Sequence, residues 1–225
     1  VDEMHVAVLG TPFGMKLYTE GVLVIDITDV ESENGKTSPG EAAGIKKGDY
    51  IISAEGKNIH TNEELSAAVE ASGGNRIKLL IKRNGKKKTV YIMPVTSKET
   101  GSLKIGLWVR DSSAGIGTMT FYSPYTGVVC GLGHGVCDED TGELLSLETG
   151  ELVTAEIISL EKGASGAPGQ LKGKFTGNGI GAIDKNCENG VYSILKGKIN
   201  PSNLTEIALK QEIKDGAAQI LCTLE

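Results

Sequence analysis

After residue 72 this 225-residue chain contains no long amphipathic helical run. Its apolar residues come in short groups such as Val22-Leu23-Val24-Ile25 and Val128-Val129-Cys130, parted by Gly, Asn, Ser and Pro. That pattern selects short strands joined by tight turns. With 31 glycines and only 4% aromatic residues, the core must be built from Val, Ile, Leu and Ala. The length suits one large or two modest domains, each able to bury a core. A net charge of −6 argues against nucleic acid as a partner. No apolar run reaches the roughly 18 residues of a membrane span, and no signal-peptide pattern is present. The chain starts at Val1 rather than Met, so a mature form or an excised fragment is expected, with membrane association only through sequence preceding it. Four cysteines in so long a chain are not a disulfide framework, leaving free thiols, one bridge or metal ligands open.

In the first 95 residues, His5-Val6-Ala7-Val8-Leu9 reads as a strand, Gly10-Thr11-Pro12-Phe13-Gly14-Met15 as a loop, and residues 16–18 as a second strand. Gly21 opens a third, Val22-Leu23-Val24-Ile25-Asp26-Ile27. Pro39 and Gly44 fit the first turn and the end of a short helix, and residues 50–54 read as a strand. Thr61 and Glu64 form a capping box that starts a helix over 61–71, with Leu65, Ala68 and Val69 on one face and Gly73-Gly74 at its end. Strands over 76–83 and 87–94 are joined by the hairpin signal Asn84-Gly85. Lys82, Arg83, Lys86, Lys87 and Lys88 form a basic cluster that fits a solvated hairpin guarding a sheet edge, or attraction to an acidic surface.

This order of elements resembles a bacterial PDZ domain. The resemblance implies that Pro12-Phe13-Gly14-Met15 is a carboxylate-binding loop whose N–H groups meet a peptide terminus. By the same analogy a peptide adds as a strand beside Lys16, Leu17 and Tyr18, with Leu65, Ala68 and Val69 on the opposite wall. The peptide belongs to a protein substrate or to another part of the same chain.

Beyond a polar stretch over 96–102, strands are expected over 103–109, 116–122, 126–132, 152–160, 181–184, 191–195, 205–209 and 217–224, at the spacing of a barrel or sandwich. Val128-Val129-Cys130 leads into Gly131-Leu132-Gly133-His134-Gly135, which leaves an imidazole at a bend uncrowded by side chains. A catalytic base presented at a sheet rim would look like this, as would an ordinary loop histidine.

The segment Gly115-Ile116-Gly117-Thr118-Met119-Thr120-Phe121-Tyr122, then Leu132-Gly133-His134 with Asp138, resembles the SpoIVB sporulation peptidase family. Ile158-Ser159-Leu160-Glu161-Lys162-Gly163 with Pro168-Gly169 is similar to a further block of it, and an upstream PDZ domain is the family's arrangement. The resemblance implies a mainly β chain: a PDZ domain (β-rich with two helices) over 1–95, a linker over 96–102, and over 103–225 the N-terminal part of a trypsin-like β-barrel peptidase domain, incomplete at its C-terminus. It implies a serine endopeptidase that needs no cofactor and acts between forespore and mother cell. There the family cleaves itself and a regulator of an intramembrane protease, allowing sigma-factor processing. His134 matches the catalytic histidine, which takes the serine proton and returns it to the leaving amine. The family's nucleophile lies in a Gly-Met-Ser-Gly-Ser-Pro segment further downstream, so the chain ending at Glu225 is expected to be inactive alone.

Three other readings stand beside this one. Gly163-Ala164-Ser165-Gly166-Ala167-Pro168 imitates the turn around a serine nucleophile, although the family match places Ser165 in a glycine-rich turn. Cys130, His134 and Cys137, with Cys187 as a distant fourth, have donor types that suit zinc, whereas Cys130 in an apolar run suits a core position. A non-catalytic PDZ module that only captures peptides is the third.

Overall fold

The computed structural model describes residues 4–197 and 203–223. It is mainly β, 54% strand and 8% helix. In chain order the elements are β1 (His5–Val8), β2 (Pro12–Ile27), β3 (Val30–Ser32), β4 (Gly35–Thr37), α1 (Pro39–Ala42), β5 (Tyr50–Ala54), β6 (Lys57–Asn58), α2 (Asn62–Ala71), β7 (Ile77–Arg83) and β8 (Lys86–Ile92). Then come β9 (Val95–Thr96), β10 (Leu103–Lys104), β11 (Leu107–Tyr122), β12 (Val128–Gly131), β13 (Leu147–Glu161), β14 (Gln170–Cys187), β15 (Gly190–Leu195) and β16 (Thr205–Glu206). The chain divides into two compact units that are not consecutive in sequence. One comprises Val1–Leu17, Ala114–Val136 and Thr149–Glu225, the other Tyr18–Ser113 and Cys137–Glu148.

In the first unit β1 pairs antiparallel with β11 through Ala7 and Tyr122, and β12 lies antiparallel between β11 and β15. β14 joins β15 on one side and β13 on the other, the latter through a long hairpin whose register shifts at three places. Phe13, Met15, Leu17, Val129, Leu152 and Val153 are buried here at 2% exposure or less. A Cβ on Gly131 would lie 2.6 Å from atoms of the Phe13 ring, so the last residue of β12 must be glycine for that ring to pack.

In the second unit β5 pairs with β7 and β7 with β8, all antiparallel. The β7–β8 turn is Asn84-Gly85, with φ of 48° and 74°, the double left-handed turn that matches strand twist. α2 starts at the expected capping box: Glu64 N–H donates to Thr61 Oγ1, and the Glu64 carboxylate accepts from the Thr61 N–H. Leu65 and Val69 turn its apolar stripe onto a cluster that includes Val22, Val24, Ile51, Leu79, Ile81 and Ile92. Arg83 clamps Asp49, which is 1% exposed, with Nε and Nη2 each 2.6 Å from a different carboxylate oxygen. Lys82 pairs with Glu20 at 2.6 Å and Lys87 reaches the other oxygen of the same carboxylate at 4.0 Å, while Lys86, Lys87 and Lys88 stay exposed.

Several local expectations are corrected. The loop expected over 10–15 and the strands on either side of Gly21 form one sixteen-residue strand from Pro12. The strand expected over 103–109 is broken at Ile105-Gly106: Leu103–Lys104 is β10, and residues 107–109 join the strand expected over 116–122 in β11, which carries the polar run Arg110-Asp111-Ser112-Ser113 inside it. The stretch over 96–102 is closed by pairing of Thr96 with Leu103 and Val95 with Lys104. The strand expected over 205–209 shortens to Thr205–Glu206, and residues 217–223 are irregular. Leu224, the end of that last expected strand, lies outside the described residues.

Candidate functional site

His134 sits just past the end of β12, in the first unit. The bend is made by Leu132 and Gly133, with φ of 70° and 79°. A left-handed leucine costs roughly 1–2 kcal/mol, so something must hold it. The Leu132 N–H donates to the Thr118 carbonyl at 3.1 Å, and its side chain packs where a Cβ on Gly117 would otherwise stand. The bend turns the exposed imidazole out of the sheet. His134 Nδ1 lies 3.0 Å from the Gly135 carbonyl oxygen. A carbonyl can only accept, so that contact places a proton on Nδ1, and in the neutral ring Nε2 then carries the lone pair. A histidine in this tautomer can act as a base at Nε2.

The chain after His134 is pinned by Asn186. Its Oδ1 accepts from the Val136 N–H at 2.8 Å and its Nδ2 donates to the Val136 carbonyl at 2.9 Å. Nothing local in Lys185-Asn186-Cys187 marks this role, because it depends on strands about fifty residues apart meeting in space. Within the second unit Asp138 closes the following loop: Oδ1 accepts from the N–H groups of Asp140 and Thr141. Arg110 binds the other oxygen of Asp138 and also reaches Asp140 at 2.7 Å. Burial would push the Asp138 carboxyl up, but the Thr141 N–H and the Arg110 guanidinium outweigh it and hold the group below its ordinary value.

The other expected site residues fall in two places. Phe13, Gly14, Met15, Lys16 and Leu17 lie on β2 in the first unit. Phe13, Met15 and Leu17 are core, and a Cβ on Gly14 would stand 2.5 Å from the Phe175 ring. The backbone there is strand rather than an open anion-binding turn. Leu65, Ala68 and Val69 lie on α2 in the second unit and face its cluster. Beside α2 is a cleft of about 740 Å³ lined by Thr28, Glu31, Asn62, Ser66, Glu70 and residues 97–100 and 103–109.

Ser165 is at the tip of the β13–β14 hairpin. Ala164 and Ala167 exchange two backbone hydrogen bonds, 2.8 and 2.9 Å, around Ser165-Gly166. These bonds set Ser165-Gly166 as the two central residues of a tight turn. Of the four cysteines, Cys130 is buried, Cys187 half-buried, and Cys137 and Cys222 exposed, all as free thiols. Burial pushes the Cys130 thiol up, which keeps it protonated and suits a core position. Among the described residues no group of three or more His, Cys, Asp or Glu is arranged to hold a metal ion. Among them, too, no helix is long and apolar enough to cross a membrane.

Comparison with known proteins places these units. The profile of the SpoIVB peptidase S55 family matches residues 101–225, over half of the chain, and that of the PDZ domain matches residues 8–93. A protein of Clostridium acetobutylicum named as a zinc metalloprotease is 37% identical over 70 residues, 31% of this chain and 21% of its own length. The zinc metalloprotease RasP of Geobacillus kaustophilus is 28% identical over 101 residues, 35% of this chain and 24% of its own. The chain thus spans between a fifth and a quarter of these relatives. The PDZ domain of the SdrC-like protein of Listeria monocytogenes covers 40% of this chain and 87% of its own, at 19% identity and a TM-score of 0.32.

Proposed function

The chain belongs to the SpoIVB peptidase S55 family, and on that premise we propose that it serves a PDZ-bearing serine endopeptidase with His134 as the general base. The observation that carries this reading is the imidazole itself. It is exposed on a bend, donates from Nδ1 to a fixed carbonyl, and keeps Nε2 free to take the proton of an attacking hydroxyl. The Asn186 clamp two residues further on limits how far that ring can drift. Leu65, Ala68 and Val69 form the wall along which the PDZ domain captures a protein or peptide segment before cleavage.

In the family's setting, the substrates are the enzyme itself and a regulator of an intramembrane protease, cleaved in the space between forespore and mother cell so that a sigma factor can be processed. The chain spans too little of the two zinc metalloproteases for their chemistry to be carried over. Cleavage of that regulator by the complete gene product, with and without His134→Ala, tests the assignment. Loss of cleavage is expected, and retained cleavage would remove His134 from the mechanism.

A further inference from the structure

Residues 103–109, Leu-Lys-Ile-Gly-Leu-Trp-Val, carry an aliphatic side chain at every second position. Leu103–Lys104 and Leu107–Val109 are strand, Gly106 with φ of 68° bends the chain between them, and Leu103, Ile105, Leu107 and Val109 share one face. In the second unit this face meets the cluster that contains Leu65 and Val69 of α2. Ile105 is part of that cluster, and the other three pack against it. Lys104 and Trp108, which do not join that cluster, are exposed at the rim of the cleft beside α2. The backbone is held from two sides. The Gly106 carbonyl accepts from the Thr28 N–H at 2.9 Å, and the Leu103 N–H donates to the Glu70 carboxylate of α2 at 2.9 Å. A captured segment is bound in this way, by one main-chain bond and one side-chain bond to its backbone for affinity and by its aliphatic side chains for selection.

We propose that residues 103–109 are a built-in ligand of the α2 groove, which therefore selects extended peptides with aliphatic residues at alternate positions. This rests on the peptide-capture reading above and names its ligand class. The segment continues into Ser102 and Arg110, so the groove reads an internal stretch and needs no terminal carboxylate. A peptide from elsewhere must displace the tethered segment, whose local concentration is of the order of millimolar. Capture by the unaltered chain is weakened accordingly.

The test uses a fluorescein-labelled synthetic peptide copying residues 102–110, in amidated and free-acid forms, titrated by fluorescence polarisation. The unaltered chain is compared with a Leu103→Gly/Leu107→Ser variant whose fold is checked by circular dichroism. At least tenfold tighter binding by the variant is expected, with the two peptide forms alike. Equal affinity for both proteins would overturn the built-in ligand, and a strong preference for the free acid would overturn internal reading. A set of unrelated peptides with free carboxyl ends separates the outcomes. If these bind while the copy does not, the inference fails and peptide capture stands; if nothing binds a folded protein, both fail. Hydrogen exchange of the unaltered chain gives a reading independent of the variant. Saturating copy peptide should speed exchange of the Leu103 amide at least tenfold while the Thr28 amide stays slow. An unchanged Leu103 amide would overturn displacement.

Discussion

Asn186 holds Val136 by both of its backbone groups, at 2.8 Å to the N–H and 2.9 Å to the carbonyl. With His134 as the proposed general base, Asn186 is a positioning residue that acts through Val136, two residues along the chain from that histidine. Asn186→Ala should lower kcat in the complete gene product by about tenfold to a hundredfold with KM little changed, because geometry is lost while substrate contacts remain. Asn186→Asp keeps the acceptor and loses the donor, and should fall between the two. A variant that changes KM alone would place Asn186 in substrate binding instead.

His134→Ala should reduce cleavage by about 10⁴-fold or more, the scale of losing a general base. Ser165→Ala should leave cleavage within about twofold, since Ser165 stands at the tip of a hairpin turn closed by Ala164 and Ala167. Initial rates on a peptide spanning the cleavage site check both.

Asp138 predicts a pH dependence. Its folded pKa is lowered, so the stability it contributes is present above its unfolded value of about 3.9 and lost as pH falls through the lower folded value. Asp138→Asn should cost about 2 kcal/mol at pH 7, allowing for the partial exposure of Arg110. The gap between the two proteins in urea midpoint should then narrow as pH drops below about 4. A gap independent of pH would show that the carboxylate charge contributes nothing.

Arg83→Met should destabilise the second unit by about 3 kcal/mol, because it leaves Asp49 buried with the Lys46 N–H but without its guanidinium. Adding Asp49→Asn should recover part of that loss. Urea melts of the single and double variants measure the coupling.

Gly131→Ala should cost about 1–3 kcal/mol, since the new methyl group would meet the Phe13 ring. Phe13→Leu in the same protein should relieve part of the clash. Strict additivity of the two losses would show that ring and glycine do not share the space.

What could be read from the sequence was local. The Asn84-Gly85 turn, the Thr61–Glu64 box and the bend at His134 each encode their shape within a few residues, and each is found where those residues place it. What could not be read depended on distant partners. Pro12-Phe13-Gly14-Met15 has the composition of a loop, yet Gly14 is strand because the Phe175 ring covers it. Arg110-Asp111-Ser112-Ser113 looks like a break, but Asp138 and Asp140 satisfy Arg110, and the Asn62 N–H reaches Asp111 at 3.1 Å. The Asn186 clamp belongs to the same class, since nothing in Lys185-Asn186-Cys187 marks it.

Trp108 is the only tryptophan in the chain and 61% of it is exposed. All indole emission from this protein therefore originates at a single point near the start of β11, at the rim of the cleft beside α2. Spectral shifts or quenching by iodide would report that strand's surroundings without any attached dye, in a molecule that carries its own optical marker.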